Sequence, residues 1–482
     1  MRSNGEWMDG LAGEYGGLSR RGLLGLGAAG VMAAALPGCG GDEPERGPRR
    51  TTGPPDVLAL AIDAYIFGYP MIMLDMMRAA SGPTNTVEHS GLPDPDTRVA
   101  RLSHDMVYSQ AWLNLDDEPL VLQIPAMEPG RFWLFQVLDG WANTVHDLTS
   151  EDSRTSADGA GPPYTYVITG PGWSGTVPAH TTRLRMPEVM STIVGRIQIN
   201  GPGDAARVSD LQQQIKLIPL SAWQRGEFDS TVSRFQPIYR GPEPPVKRIA
   251  AMDGRTYLNR LCRLLLTTPP APADAPLMRE LAAIGVRPGG TVDGQPVDVL
   301  DEAVRQAQRR ITDWRDPTAR HVNGWEIPID LGDYGTDYLR RAAVAMRSPG
   351  VAPIRNVLYA TLWSAPATDD QGLPLRYRIR FARDEWPPVA AFASLTAYDP
   401  QGFLVPNPNA IYAVGHVPPP VAAPDGSIDI AVQYEDPRPR VPTGNWLPIP
   451  PTGDFSLTLR LYAPKEAALD GTWQPPPMTL AD

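Results

Sequence analysis

The sequence predicts a mainly β protein with α insertions: two antiparallel β-sandwiches with a helical segment between and around them. Three observations predict it. Proline supplies 54 of the 482 residues, about twice the usual share of ~5%. A residue that fixes φ and removes a donor punctuates loops and sheet edges, and argues against a helical bundle. Apolar and polar residues alternate near the C-terminus, where Leu375, Tyr377, Ile379 and Phe381 share one face and Arg376, Arg378 and Arg380 the other. Between the two β-rich regions, residues 253–315 switch to helical periodicity. At ~150 residues per domain, this length predicts about three units.

Taken in order, residues 1–38 read as an export signal. "SRRGLLGLGAAGVMAAALPGC" sets Arg20-Arg21 ahead of a Gly/Ala-rich apolar segment, Gly22 to Leu36. The paired arginines resemble the twin-arginine type, which implies transport of a folded body. Leu36-Pro37-Gly38-Cys39 resembles a bacterial lipobox, in which Cys39 becomes the acylated first residue. The Gly25-x-Gly27-x-x-Gly30 inside this stretch is not a dinucleotide fingerprint, because no strand precedes it and no βαβ unit surrounds it. Residues 39–55 are a polar tether.

Residues 56–97 open with "DVLALAIDAYIFGYPMIMLDMMRAA", a helix with Asp56 as candidate N-cap and Pro70 expected to break or kink it. Residues 98–220 carry the first sandwich in "PLVLQIP", "RFWLFQVLD", "YTYVITGPGW" and "STIVGRIQI". Residues 221–350 are mainly helical, through "YLNRLCRLLL", "PLMRELAAIG", "VDVLDEAVRQAQRRITDW" and "YGTDYLRRAAVAM". Residues 351–482 form the second sandwich, where Ile428, Ile430, Val432 and Tyr434, and then Phe455, Leu457, Leu459 and Leu461, each read as a strand with one buried face. The two β regions echo one another. "LVLQI" and "YRIRF" each lead through a proline-bearing loop to a strand ending in aspartate, Asp139 and Asp399.

Several segments carry a resemblance. "RFWLFQVLDGWANT", "YVITGPGW", "YGTDYLRRAAVA", "GFLVPNP" and "NWLPIPPTGDFSLTLRLYAPKEAALDGTWQPP" are similar to the bacterial family with paired domains of unknown function, DUF1254 and DUF1214, over about residues 56–478. The resemblance implies two jelly-roll-like sandwiches; it implies no activity and no cofactor. Three positions depart from the family's usual residues. Ser103-His104-Asp105-Met106-Val107-Tyr108 stands for Asn-Arg-Asp-Thr-x-Tyr, Ala410-Ile411-Tyr412 for Asn-Arg-Tyr, and Phe392-Ala393-Ser394 for Phe-Trp-Ser.

Composition excludes some functions. A net charge of −11 opposes a phosphate backbone, so no nucleic acid partner is expected. No run after the signal reaches the ~18 apolar residues of a spanning helix, so the body is expected to be soluble. The two cysteines are Cys39 and Cys262. Acylation of the first leaves the second unpaired, and Cys262 reads as a buried inert thiol. The six histidines (89, 104, 146, 180, 321 and 416) lack metal-ligand spacing, so no metal is expected. There is neither a G-x-S-x-G elbow nor a phosphate loop.

What remains is a set of strand-end residues. Asp105 and Asp139 are the candidate acid and base, with Tyr108, Trp141, Asn143 and Arg154 around them and Tyr334 and Tyr338 from the "YGTDY" box as further ligand contacts. The sequence thus leads to an exported cell-envelope protein. It is lipid-anchored at the membrane surface through Cys39, on the outer side of the cytoplasmic membrane or in the periplasm, and binds a small or carbohydrate-like ligand between its sandwiches. A glycosidase-like hydrolase using the two aspartates and a purely structural envelope protein are the alternatives, and a homo-oligomer stays open.

Overall fold

A computed structural model describes residues 55–97, 99–153, 161–229 and 234–481; the segment read as an export signal, Cys39, most of the expected tether and Arg154 lie outside the described residues. The first helix among the described residues, α1 (Val57–Ala79), starts immediately after Asp56 and runs unbroken through Pro70. The expected break is absent because the helix is held from outside. Tyr65, Phe67, Tyr69 and Ile72 are buried in one apolar cluster. The cluster also takes in α5 (Gly254–Leu264), α7 (Val297–Asp313) and α8 (Tyr338–Arg347). Helix α1 is also long and apolar enough to cross a bilayer, contrary to the reading above, yet 72% of its apolar window is buried within the protein. It is a core helix. The shorter helices α2 (Ala205–Gln213), α3 (Leu220–Gln224), α4 (Pro245–Ala250), α6 (Ala275–Leu281) and α9 (Glu466–Leu469) fill the connections.

Among the described residues twenty strands make four sheets. In the first half they are β1 (Glu88–Ser90), β2 (Met106–Asn114), β3 (Leu120–Ile124), β4 (Trp133–Leu138), β5 (Thr144–Thr149), β6 (Tyr164–Thr169), β7 (Thr182–Arg185), β8 (Met190–Gln198), β9 (Lys216–Pro219) and β10 (Arg234–Phe235). In the second half they are β11 (Arg320–Val322), β12 (Trp325–Ile327), β13 (Val357–Pro366), β14 (Arg376–Phe381), β15 (Ala393–Tyr398), β16 (Ala413–Val414), β17 (Ile428–Gln433), β18 (Trp446–Leu447), β19 (Asp454–Tyr462) and β20 (Met478–Leu480). The first sandwich pairs the sheet β10-β1-β2-β8-β4-β5 with β7-β6-β3-β9, and the second pairs β11-β12-β13-β19-β15-β16 with β18-β17-β14-β20. The order β2-β8-β4-β5 over β7-β6-β3-β9 recurs as β13-β19-β15-β16 over β18-β17-β14-β20, with parallel pairs β6·β7 and β17·β18 at matching places. These eight strands are therefore duplicated strand for strand, while the outer pairs differ, β1·β10 being parallel and β11·β12 antiparallel. Both sandwiches reach past the expected limits, since β1, β10, β11 and β12 extend them.

The two six-stranded sheets lie back to back. One apolar cluster fills the first sandwich, with Val107, Leu122 and Phe135; another fills the second, with Leu358, Ile379 and Leu457. A third joins Met106, Tyr108, Phe132 and Leu134 of the first to Val357, Phe392 and Tyr462 of the second. Strands β2 and β19 are therefore covered on both faces, so β19 does not have a single buried face. Ser456, Thr458 and Arg460 are as buried as the leucines between them. By contrast the Arg376, Arg378 and Arg380 face is solvated, each arginine paired across strands with Glu435, Asp429 or Asp425. Tyr434 lies past the end of β17 and is exposed.

Candidate functional site

Duplication produces matched residues at the seam. Tyr108 is the third residue of β2 and stands opposite Arg196 on β8; Tyr359 is the third residue of β13 and stands opposite Arg460 on β19. The Arg196 guanidinium lies 5.7 Å from the Tyr108 ring centre, and that of Arg460 lies 5.9 Å from Tyr359. Each arginine also reaches the segment that leads into the other sandwich. Arg196 donates to the Gly350 carbonyl at 2.7 Å, and Arg460 donates to the Arg101 carbonyl at 2.8 Å. Their second contacts match as well, Arg196 to the Gln136 side chain on β4 and Arg460 to Thr396 on β15.

Both pairs line one cavity of about 110 Å³, with Arg101, Arg347, Trp314 and Trp363 on its walls. Asp316 and Glu326 line it too, and Arg340 approaches Asp316 at 3.6 Å. The wall carries four arginines against these two carboxylates. Among the described residues no carboxylate lies within 4.0 Å of Arg196 or Arg460, although Arg460 is only 3% exposed. Burial without a counter-ion is costly, so such a site favours an anion.

Asp105 and Asp139 do not meet. The Ile199 amide donates to the Asp105 carbonyl at one end of β8, while Leu138 pairs with Thr192 near the other. At ~3.3 Å per residue that separation is about 25 Å, far beyond the ~5–10 Å of a paired acid and base. Each carboxylate is also committed. Asp105 accepts from Ser394 and Ser103. Asp139 accepts from the amides of Trp141 (2.9 Å) and Asn143 (2.8 Å) and from the Asn143 side chain (2.9 Å). Asp399 makes the same turn in the second sandwich, accepting from the Gln401 amide at 2.9 Å and the Phe403 amide at 2.8 Å. The left-handed fourth position is Ala142 in one copy and Gly402 in the other. Asp139 is a turn residue, and the expected acid–base pair is not formed.

The other expected residues divide between two places. Tyr108 lies within β2 in the seam cavity rather than at a strand end. Trp141, Asn143, Tyr334 and Tyr338 gather at a second place, beside the helices. Asn143 accepts from the Tyr334 amide at 3.3 Å, and the Tyr338 hydroxyl donates to Asp274 at 2.9 Å. Trp141 is 2% exposed, packed by Phe67 at 4.6 Å, so its ring is not offered to a sugar. Asp139, Trp141, Asn143, Glu188, Asp274 and Arg341 all border a cavity of about 260 Å³ here. Burial, and then the Asp139 charge, pushes the Glu188 carboxyl up to about 8, while burial lowers the Arg341 guanidinium from its ordinary value.

Four of these residues, Arg196, Arg460, Glu188 and Arg341, are absent from the sequence reading. Arg460 had a visible signal: an arginine alternating with leucines in "LTLRLY" is polar on a face that turns out to be covered. Glu188 and Arg341 gave none. Among the described residues no group of three or more His, Cys, Asp or Glu could hold a metal ion.

Residues 84–219 match the family described as Protein of unknown function (DUF1254), and residues 359–466 match Protein of unknown function (DUF1214). The crystal structure of the VPA0106 protein from Vibrio parahaemolyticus is similar, with a TM-score of 0.61 and 21% identity over 88% of this chain and 100% of that one. An uncharacterized protein from Burkholderia cenocepacia aligns at a TM-score of 0.44 and 12% identity, over 88% of this chain and 94% of that one. No curated protein matches the chain. The two halves of the match meet where the sequence departs from the usual residues: the His104 and Tyr412 rings lie 4.8 Å apart, and Asp105 accepts from Ser394.

Proposed function

The chain belongs to the family that pairs a DUF1254 with a DUF1214 domain, and from that premise we propose that it is a binding protein whose small anionic ligand sits in the seam between the two domains. The observation that carries this reading is the pair of guanidiniums, Arg196 and Arg460, that face one cavity with no carboxylate in ion-pairing reach among the described residues. A carboxylate or phosphate supplies the missing charge and accepts the remaining N–H donors in the geometry that arginine favours. Tyr108 and Tyr359 hold the guanidiniums in place, and Trp314 and Trp363 close the apolar side. The volume of about 110 Å³ restricts the occupant to a small molecule, since a cavity of ~150 Å³ takes benzene.

Calorimetric titration with phosphate and with acetate tests this directly. One of them is expected to bind, with affinity falling as salt rises, and Arg460→Gln is expected to weaken it at least tenfold. Arg196→Gln, on the matching strand of the other sandwich, is expected to do the same. If neither anion binds the intact chain, the reading fails.

The setting we propose for this binding is the cell envelope. Support comes from the arginine doublet Arg20-Arg21, the apolar stretch after it and Cys39 at its end. Metabolic labelling with an alkyne fatty acid is expected to mark the chain and to be lost in Cys39→Ser. Labelling that survives the substitution would remove the anchor from the proposal.

A further inference from the structure

We infer that the cavity between the Asp139 turn and helix α8 takes a small zwitterion of the amino-acid class, its carboxylate on Arg341 and its ammonium on Glu188 and Asp274. The inference stands independently of the seam site. Arg341 is 3% exposed, and its guanidinium lies 4.9 Å from the Trp141 ring centre, 5.3 Å from Tyr338 and 5.6 Å from Phe67. Among the described residues its guanidinium makes one hydrogen bond, a long one of 3.5 Å to the Phe67 carbonyl, and its Nε has no partner. Four acids border the same cavity, Asp139, Glu188, Asp274 and Asp333, yet among the described residues none comes within 4.0 Å of Arg341. The buried Arg341 cation and the buried carboxyl groups of Asp139, Glu188 and Asp274 thus border about 260 Å³ without an ion pair between them.

Charges taken out of water and left apart are costly, so the arrangement favours an occupant that completes them. A simple anion meets the acids, a simple cation meets Arg341, and a neutral polyol compensates neither charge. A molecule with one group of each sign satisfies both ends. The acceptor side has capacity left. Glu188 accepts from the Gly140 amide at 2.9 Å, and Asp274 accepts from Tyr338 and from the Ala271 amide, both at 2.9 Å. Asp139 is spent on its turn and acts through its charge.

The test is calorimetry on the full chain carrying Arg460→Gln, which silences the seam, with L-alanine and L-serine, beside acetate, methylamine and glucose. One of the amino acids is expected to bind at least tenfold tighter than acetate or methylamine. Arg341→Lys and Asp274→Asn are each expected to weaken it at least fivefold while the circular dichroism spectrum stays that of the parent. The charged groups that share the cavity with Glu188 are Asp139, Asp274, Asp333 and Arg341; burial and the Asp139 charge hold its carboxyl up at about 8, so an incoming ammonium displaces its proton, and the binding heat should depend on the buffer's ionisation enthalpy. Acetate or methylamine binding as tightly as the amino acids would overturn the inference. So would glucose binding in their place, or no binding by either amino acid. Anion binding at the seam is read separately, by its loss in Arg460→Gln.

Discussion

At the scale of single residues, Asp139, a catalytic candidate in the sequence, is held as structure, and so is its echo Asp399. Asp139 and Asp399 end matching strands and accept from the backbone two and four residues on. Asp139→Ala and Asp399→Ala are each expected to lower unfolding stability by about 2–3 kcal/mol, the cost of stranding the turn's amides. Asp139→Asn, which keeps an acceptor, is expected to lose less, as denaturant melts would show. Glu188 behaves differently. Its folded carboxyl is raised to about 8 by burial and the Asp139 charge, so between about pH 4.5 and 8 the native state holds a proton that the unfolded chain releases. That contribution is fully present below the unfolded value and is lost as pH rises through the folded one. At about 1.4 kcal/mol per pKa unit, Glu188→Gln is expected to be more stable than the parent above pH 8 by a few kcal/mol, and the gap is expected to close toward pH 5. A gap independent of pH would show that the carboxyl titrates normally.

At the scale of elements, close backbone approach decides what propensity does not. Gly254 begins α5 where it crosses α7, and a Cβ there would stand 2.4 Å from the Leu300 carbonyl oxygen. Helix propensity favours Gly→Ala by up to ~1 kcal/mol, but a backbone oxygen has no rotamer to turn away. Gly254→Ala is expected to destabilise by about 1–3 kcal/mol, the usual cost of overpacking, read from the thermal midpoint. The helices themselves were legible. Asp253 caps α5 by accepting the Thr256 amide at 2.8 Å, and Asp337 caps α8 by accepting from Arg340 at 3.1 Å. The alternating strand β14 was legible too, since one face is wet. Strand β2 was not: both its faces are covered, so "MVYSQAWLN" shows no clean alternation. Cys262 is buried as expected, and burial pushes its thiol up.

At the scale of the molecule, the sandwiches are not separable bodies. A fragment of residues 55–240 would keep α1 but lack α5, α7 and α8, which cover it, and would bare Met106, Phe132 and Leu134 at the seam. Such a fragment is expected to aggregate or to bind a hydrophobic dye strongly, where the whole chain does not. Soluble, cooperative unfolding of the fragment would show that the back-to-back packing contributes little. Duplication explains why the seam site has two matched halves: each copy brings its tyrosine and arginine to the same register, so facing copies present them to one cavity.

The sequence by itself determined the class, the helical interlude between two β regions and the echo of Asp139 in Asp399. These depend on local periodicity and turn chemistry, which neighbouring residues set. Only the tertiary structure decided that the sandwiches stack by their larger sheets, that α1 passes through Pro70, and that Arg196 meets Arg460's cavity while Glu188 meets Arg341's. Those outcomes depend on which surfaces cover one another across hundreds of residues, and a one-dimensional pattern does not distinguish a polar face turned to water from one turned to a partner.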